Sequence, residues 1–287
     1  MGKLDGKVAL ITGAARGQGR SHALTLASEG ADIIAVDLCE DIGTNEYPLG
    51  TWADLEETQR LVEKDGRRIY IAKADVRDLV ALTSAVDDGI TTLGRLDIVV
   101  ANAGICPMGA AHTGQAFIDA VSVDLTGVIN TVATAYPHLA AGSSIITTGS
   151  VAGLIKGAAD NPATGPGGAG YSHAKRGVAS FVHDLALALA PESIRVNAVH
   201  PTNCNTDMLF STPMYRIFRP DLDTPDRKDA EAAFPAMQPM PIGWVEPADV
   251  SKAVLFLASD DSRYVTGLQL KIDAGATLSG TAPFAFA

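Results

Sequence analysis

A phenol and an ammonium group stand four residues apart in the chain, at Tyr171 and Lys175. On a helix this spacing places both side chains on one face. A tyrosine has an unperturbed pKa near 10, too high for a base at neutral pH, and a nearby cation lowers it. The pair could therefore exchange a proton with a substrate, assisted by the hydroxyl of Ser150. Such a pair is common on ordinary helices, so the argument depends on what else converges there.

A second group of residues has the spacing of a nucleotide site. The apolar run Val8–Thr12 leads directly into a glycine-rich turn, Gly13–Gly19, and then into a predicted helix. Glycines in such a turn let the backbone approach a pyrophosphate, whose charge the helix N-terminus stabilises. Asp37 ends the next apolar run. Its distance from Gly19 along the chain is close to the roughly 20 positions expected for a carboxylate that hydrogen-bonds an adenosine ribose. These residues together predict a dinucleotide site.

Asp37 also bears on which dinucleotide binds. Its carboxylate would repel a 2′-phosphate, so the sequence favours NAD over NADP. Arg16 lies inside the turn and could meet a 2′-phosphate through bidentate hydrogen bonds. The alternative for Arg16 is a solvated residue or a structural ion pair. The candidate cofactor-binding residues of these two segments are Gly13, Arg16, Gly17, Gln18, Gly19, Asp37 and Leu38.

The elements that must position these groups alternate along the chain. Short β-rich apolar runs are separated by longer amphipathic stretches, a pattern typical of a parallel sheet with helices on both faces. Seven strands are predicted, at Lys7–Thr12, Asp32–Asp37, Ile69–Asp75, Asp97–Ala101, Ser144–Thr148, Ile194–His200 and Gln269–Asp273. Helices are predicted to begin near Gly17, Asp54, Asp78, Gly114, Gly170 and Glu246, and Gly30, Gly66 and Gly94 to cap three of them. The predicted fold is a doubly wound α/β sheet that binds ligands at the carboxyl ends of its strands.

Composition narrows the class of protein. The 287 residues, 47% hydrophobic and 19% charged, suit one domain over 1–287. The formal net charge of -11 and the lack of a basic stripe disfavour a nucleic-acid partner. Because no run approaches the roughly 20 apolar residues of a membrane helix and the N-terminus lacks a signal-peptide core, we expect a cytoplasmic protein without membrane association. The cysteines and histidines have no metal-ligand spacing, so no metal is expected.

Three stretches interrupt the alternation and are predicted to be irregular: Leu38–Thr51, Lys156–Ala169 and Pro201–Pro241. Connections of this length are more often functional than packed. The first is predicted to be an insert near the adenosine, with a plain solvated loop as the alternative. The third is predicted to be a substrate lid. Its apolar residues would either cover an apolar substrate or pack a short helix: Met208, Leu209, Phe210, Met214, Tyr215, Ile217 and Phe218.

The motifs, in this order, resemble those of the classical short-chain dehydrogenase/reductase family over nearly the whole chain. The matching segments are Thr12–Gly19, Asp75 with Val76, Ala101–Gly104, Gly149 with Ser150, Tyr171–Lys175, Asn197 with Pro201, and Asp273 with Gly275. The resemblance implies a seven-stranded Rossmann fold. It also implies hydride transfer between the nicotinamide of NAD(H) and a secondary alcohol or ketone.

The resemblance assigns roles to individual residues. Ser150 would bind the substrate oxygen, Tyr171 would exchange its proton, and Lys175 would hold the nicotinamide ribose while lowering the tyrosine pKa. Thr206 matches the family threonine that reaches the nicotinamide carboxamide. The remaining cofactor-binding candidates are Asp75 and Val76 beside the adenine, Asn102, Ala103 and Gly104 supporting the sheet and cofactor, and Pro201, Thr202 and Asn203 after the sixth strand.

Two departures from the family pattern stand out. Asp124 replaces the usual asparagine, which helps hold a water of the proton relay; its carboxylate is a candidate relay member and would alter the titration near Lys175. The stretch from Asp37 to Asp75 is longer than usual. With the run at 14–20 and the motif at 199–203, it resembles the actinobacterial subgroup similar to carveol dehydrogenases, whose members are mycofactocin-coupled and retain NAD. This implies an apolar or cyclic terpenoid substrate such as carveol, a mycofactocin redox partner and a homotetramer.

Two rival functions stay open. A catalytically silent NAD-binding regulator would bind the cofactor without turnover, and the intact Ser150, Tyr171 and Lys175 argue against it. A sugar-nucleotide epimerase or dehydratase has a related fold, but its glycine turn is normally spaced differently and its substrate domain is larger.

Overall fold

The computed structural model describes residues 2–278, in which seven strands form one parallel sheet. The strands are β1 (Val8–Thr12), β2 (Asp32–Asp37), β3 (Ile69–Lys73), β4 (Ile98–Ala101), β5 (Ser144–Thr148), β6 (Arg195–Pro201) and β7 (Gln269–Ile272). Their spatial order is β3-β2-β1-β4-β5-β6-β7, with every neighbouring pair parallel. The order reverses between β1 and β4, the position where doubly wound sheets bind ligands. The predicted fold class is confirmed.

Helices cover both faces of the sheet. Those within residues 2–278 are α1 (Gly17–Ser28), α2 (Trp52–Lys64), α3 (Leu79–Leu93), α4 (Gly114–Val121), α5 (Gly127–Ala135), α6 (Val151–Leu154), α7 (Gly165–Leu189), α8 (Thr212–Phe218), α9 (Arg227–Ala233) and α10 (Pro247–Ala258). Asp78 caps α3 by accepting hydrogen bonds from the first-turn amides of Val80 and Ala81. The three glycines expected after helices all have positive φ, as left-handed C-terminal residues require: Gly30, Gly66 and Gly94.

The predicted irregular stretches differ in the structure. Residues 38–51 contain no helix or strand, as expected, and end at Thr51, which caps α2 through a reciprocal pair of hydrogen bonds with Asp54. Helix α7 begins at Gly165, so the end of the second predicted irregular stretch is helical. The third contains α8, in the stretch where a short helix was one of the two alternatives, and α9, which was not predicted from the sequence. Both helices are short, and their apolar residues follow no long helical period that a sequence could reveal.

One helical run, Gly114–His138, is long and apolar enough to span a membrane by length and composition alone, which the sequence analysis did not anticipate. Half of its most apolar part is buried within the protein, and α4 packs along α7. These are the properties of a core helix. A single π-helical turn, Ser122–Thr126, joins α4 to α5 within this run. Such turns occur frequently at functional sites.

Candidate active site

A cleft of about 590 Å³ opens at the carboxyl ends of the strands. Every residue that the sequence analysis singled out for catalysis or cofactor binding lines it: Gly13, Arg16, Gly17, Gln18, Gly19, Asp37, Leu38, Asp75, Val76, Asn102, Ala103, Gly104, Asp124, Ser150, Tyr171, Lys175, Pro201, Thr202, Asn203 and Thr206. The structure therefore brings these residues together. Their contacts differ in what they leave free for a ligand.

The glycine-rich turn has the backbone geometry of a phosphate cradle. Gly13 and Gly17 have φ of 68° and 55°, in the left-handed region that favours glycine. A Cβ added at Gly19 would lie 1.9 Å from the carbonyl oxygen of Gly13. Among the described residues, the buried Gln18 Oε1 in the cleft wall has no hydrogen-bond partner. The turn thus presents the N-terminus of α1 to the cleft, which fits the pyrophosphate of a dinucleotide, whereas the Gln18 oxygen can only accept from a donor such as a hydroxyl.

The Asp37 carboxylate is held by backbone amides at the end of β2. Its Oδ2 accepts a hydrogen bond from the Ala15 N–H at 2.9 Å, and its Oδ1 accepts one from the Cys39 N–H at 3.0 Å. A carboxylate has about four acceptor sites, so two remain for ribose hydroxyls. Gly50 of the insert passes beside it, since an added Cβ would lie 3.4 Å from Asp37 Oδ1.

Arg16 bridges two loops of the protein. Its guanidinium donates a hydrogen bond to the carbonyl of Pro48 in the insert and pairs with Asp207 in the lid at 2.9 Å. Of the roles considered for Arg16, the structure therefore shows the structural ion pair. With its donors directed to Pro48 and Asp207, Arg16 is poorly placed to read a 2′-phosphate.

Asn102 ties together the ends of three strands. Its Nδ2 donates to the carbonyl of Thr12 at 3.1 Å, and its Oδ1 accepts from the Thr148 hydroxyl at 3.1 Å. These bonds connect β4 with β1 and β5 at the point where the order reverses. Asn102 therefore supports the floor of the cleft.

Several other candidates direct their polar atoms to protein partners. The Asp75 carboxylate is bound by the guanidinium of Arg77 at 2.6 Å and 2.9 Å. The Thr202 hydroxyl donates to Gln238 Oε1 at 3.2 Å, which links the end of β6 to the lid. These side chains shape the cleft and have less capacity for a ligand than Asp37.

Within residues 2–278, no group of three or more His, Cys, Asp or Glu side chains is arranged to hold a metal ion.

The catalytic candidates converge beyond the end of β5. The Ser150 hydroxyl accepts a hydrogen bond from the Ala152 N–H at 3.1 Å and so caps α6. Tyr171 and Lys175 lie on one face of α7, with Lys175 Nζ 5.5 Å from the centroid of the Tyr171 ring. The same Nζ donates to the carbonyl of Thr148 at 2.9 Å, which fixes the lysine at the strand end.

Asp124 pairs with Lys175, one of the catalytic candidates. It projects from the π-helical turn, is fully buried, and its Oδ1 lies 3.1 Å from Lys175 Nζ. Its Oδ2 accepts a long hydrogen bond, 3.4 Å, from the Ile105 N–H. Burial raises the pKa of Asp124 to about 6, against the lowering effect of Lys175. A Cβ at Gly104 would lie 2.4 Å from Asp124 Oδ1, so the glycine makes room for the carboxylate.

The pKa of Tyr171 does not follow the sequence expectation. Burial raises it well above 10, the Cys106 thiol and the Asp124 carboxylate raise it further, and only a hydrogen bond from Ser150 lowers it. The lowering of the Tyr171 pKa by Lys175 that was expected from the sequence is not found. The main physical reason is burial, which disfavours the charged phenolate, and the Asp124 carboxylate, 3.1 Å from Lys175 Nζ, adds to it.

The contacts of the insert, residues 38–51, were not predicted from the sequence. The Tyr47 side chain is buried, and its hydroxyl accepts a hydrogen bond from the Cys106 N–H at 3.1 Å, across the cleft. The Thr44 hydroxyl donates to Asp119 of α4 at 2.7 Å. The insert therefore reaches past the adenosine end to the catalytic end. The signal in the sequence was the one aromatic residue of the loop, since its other apolar residues, among them Ile42 and Leu49, follow no period.

The apolar residues of the lid divide between two roles. Met208, Met214 and Ile217 pack with Tyr171 beside the catalytic groups. A second core forms around Phe234 and Trp244, in which aromatic rings meet edge to face; it includes Leu209, Phe210, Tyr215 and Phe218, of which Leu209 and Phe218 also line the cleft. The structure contains the short helix, and covering of a substrate by the residues in the cleft wall stays a prediction. One face of α8 lines the cleft and the other holds the lid together.

Comparisons with known proteins agree with this geometry. The family described as Enoyl-(Acyl carrier protein) reductase matches residues 13–277. The chain is 49% identical to a (-)-trans-carveol dehydrogenase of Rhodococcus erythropolis, over 97% of this chain and 100% of that protein. It is 51% identical to a putative short-chain type dehydrogenase/reductase of Mycolicibacterium smegmatis, over 96% and 99%. A crystal structure of carveol dehydrogenase from Mycobacterium avium in complex with NAD has a TM-score of 0.90 and 46% identity, covering 97% of this chain and 100% of that one.

The chain belongs to the short-chain dehydrogenase/reductase family. It is an oxidoreductase that acts on alcohols.

Proposed function

We propose that the protein is an NAD-dependent dehydrogenase that interconverts a secondary alcohol and its ketone. The substrate is an apolar cyclic terpenoid such as carveol. The observation that carries the proposal is the convergence of Ser150, Tyr171 and Lys175 in a cleft whose wall beside Tyr171 is apolar. The similarity to carveol dehydrogenases supports the substrate class. An apolar wall with a few placed polar groups suits a terpenoid alcohol.

NAD fits the cofactor half of the cleft better than NADP. Asp37 carries a negative charge and free acceptor sites where ribose hydroxyls would lie, and Arg16 is engaged by Pro48 and Asp207. A 2′-phosphate would meet the carboxylate without a free cation to offset it. The crystal structure of the Mycobacterium avium relative was solved with NAD, which agrees with this preference.

The catalytic residues divide the work on the substrate oxygen. When bound, NAD supplies the acceptor for the hydride that leaves the carbinol carbon. The Ser150 hydroxyl holds the substrate oxygen, and Tyr171 in its phenolate form takes the alcohol proton. Lys175 stabilises the phenolate and holds the nicotinamide ribose. Asp124 occupies the relay position, where a carboxylate can hold the relay water as the usual asparagine does, and it sets how much of the lysine charge reaches the phenol, since it lies 3.1 Å from Nζ.

The insert and the lid close the cleft from two sides of one domain. Arg16 joins them, and Tyr47 fastens the insert to the segment after β4. We infer that bound NAD leaves slowly and that a mycofactocin redox partner reoxidises it in place. The exposed apolar residues Ile118 and Ile129, together with Leu187 on α7, suit contacts between the subunits of a cytoplasmic homotetramer.

Analysis of the purified protein tests the proposal. Mass spectrometry of the nucleotide released by denaturation should find NAD and no NADP, and carveol with an artificial electron acceptor should be oxidised. The silent regulator would be favoured if the protein bound NAD but neither oxidised carveol or any related alcohol nor reduced the corresponding ketones. Turnover of a nucleotide sugar would favour the epimerase or dehydratase.

A further inference from the structure

His200 is a fully buried histidine directly behind the catalytic serine. It lies near the end of β6 and does not line the cleft, so no role in binding accounts for it. Its ring packs against the turn after β5, because a Cβ added at Gly149 would lie 2.3 Å from His200 Cε1. Only a glycine at position 149 leaves room for the imidazole.

The hydrogen bonds of the ring identify its tautomer. The Gln269 Nε2 donates to the carbonyl of Ala179 in α7 at 3.2 Å, so the Gln269 Oε1 must face His200 Nε2, at 2.6 Å. His200 Nε2 therefore carries the proton and donates it to that oxygen. In a neutral ring Nδ1 is then an acceptor, and it lies 3.2 Å from the Ser150 N–H.

Burial favours this neutral form. It lowers the pKa of His200, and the positive charges of Lys175 and Lys271 lower it further, while the hydrogen bonds to Gln269 and to the Ser150 backbone oppose the shift. At neutral pH Nδ1 is thus free to accept from Ser150. A protonated ring would lose that acceptor, although its Nδ1 could then donate to the Ser150 carbonyl, also at 3.2 Å.

We propose that His200 is a positioning residue for the proposed catalytic serine: its neutral Nε2–H tautomer holds the Ser150 backbone in place through Nδ1 and connects it through Gln269 to α7. Tyr171 is on that same helix. The chain of bonds thus fixes the serine relative to the tyrosine that shares its substrate oxygen. This inference rests on the proposed role of Ser150.

The two ring nitrogens can be tested separately. His200→Asn keeps an acceptor near the position of Nδ1, whereas His200→Gln extends toward Gln269 and lacks it. We expect His200→Asn to retain most of the kcat for carveol oxidation. His200→Gln and His200→Leu should lose about 100-fold, as expected when a catalytic group is displaced by about 1 Å. NAD affinity should stay unchanged in all three, because His200 does not face the cofactor.

His22 is a matched control. It is also fully buried, and its Nδ1 lies 2.8 Å from the Ser251 hydroxyl, outside the cleft. His22→Leu should lower thermal stability without lowering kcat. Equal kcat losses in the Asn, Gln and Leu variants of His200, or the same loss in His22→Leu, would overturn the proposal. If His200→Leu does not fold, the comparison of His200→Asn with His200→Gln decides.

A double-variant cycle shows whether His200 acts through the serine. In a Ser150→Ala background, His200→Leu should lower kcat by less than about twofold, because no hydroxyl is left to position. A loss of kcat in the double variant equal to the product of the losses in the two single variants would contradict the proposal. A Ser150→Ala variant with wild-type turnover would instead refute the catalytic role of Ser150 and so the proposed function itself.

Discussion

The two ends of the cleft each hold a carboxylate, and the two are stabilised in different ways. Asp37, at the adenosine end, is half-buried and bound by two backbone N–H groups from neighbouring turns. Asp124, at the catalytic end, is fully buried and bound by one lysine and one long amide contact. Local backbone therefore fixes the first, with acceptor sites left for the proposed ribose diol. The second is paired with Lys175, so we expect removal of its charge to change the proposed chemistry.

The catalytic end should show the largest effect of a single substitution. Tyr171→Phe removes the hydroxyl that exchanges the proton, so we expect kcat to fall by a factor of about 10² to 10⁴ while NAD still binds. Steady-state turnover of carveol and titration with NAD measure the two effects. Tyr264→Phe, at a tyrosine that is 89% exposed, is the matched control and should leave both unchanged. Near-wild-type turnover of Tyr171→Phe would refute the assignment.

At the adenosine end a substitution should change affinity. Asp37→Ala removes a charged acceptor from the ribose hydroxyls, worth about 1.5–3 kcal/mol, so NAD binding should weaken by roughly tenfold to a hundredfold. The preference against NADP should narrow as well. Dissociation constants for both nucleotides measure this. The ribose role of Asp37 would be wrong if the wild-type protein bound NADP as tightly as NAD.

Asp124→Asn tests how the buried carboxylate acts on the catalytic pair. Ionised Asp124 raises the pKa of Tyr171. With an amide in its place, the rate of alcohol oxidation should therefore begin to rise at a lower pH. Turnover on that rise should increase by up to about tenfold, since one pKa unit corresponds to about 1.4 kcal/mol. The pKa of Asp124 is about 6. Its charge is therefore lost as pH falls through 6, and the difference between variant and wild type should disappear there.

The pH dependence of kcat in both proteins measures this effect. Substitution of the exposed Asp184 by Asn serves as the control for loss of one negative charge. A pH profile that is the same in Asp124→Asn and wild type would show that the carboxylate does not act on the phenol.

The same comparison explains what the sequence could predict. The glycine turn and Asp37 act through backbone geometry and a fixed spacing, both of which are visible in the sequence, and their places in the fold agree with the prediction. The effect of Asp124 on Tyr171 depends on burial and a 3.1 Å ion pair between distant segments. Tyr47 could not be placed either, because residues 38–51 have no period that would fix where a side chain points. Sequence spacing therefore predicted which residues meet but not how their charges combine.

The smallest effect is expected in the insert, which spans both ends of the cleft. The net value of one hydrogen bond is about 0.5–1.5 kcal/mol. Tyr47→Phe removes the acceptor of the Cys106 N–H, so release of NAD should accelerate by a factor of about 2 to 10. Binding energy from the insert acts equally on the ground and transition states, so the rate of hydride transfer in a single turnover should not change.

Release of bound NAD into excess labelled NAD, together with single-turnover reduction of the enzyme-bound cofactor, measures these two rates. Thr44→Val, which removes the 2.7 Å hydrogen bond to Asp119, should accelerate release to a similar extent from a different anchor of the insert. Faster release should also increase the turnover that added NAD supports, because reoxidation in place is then no longer the only route. Wild-type protein that is isolated without nucleotide and exchanges NAD rapidly would show that the insert is a surface loop. The proposal of retained NAD and a mycofactocin partner would then be wrong, while the roles of Tyr171 and Asp37 would stand.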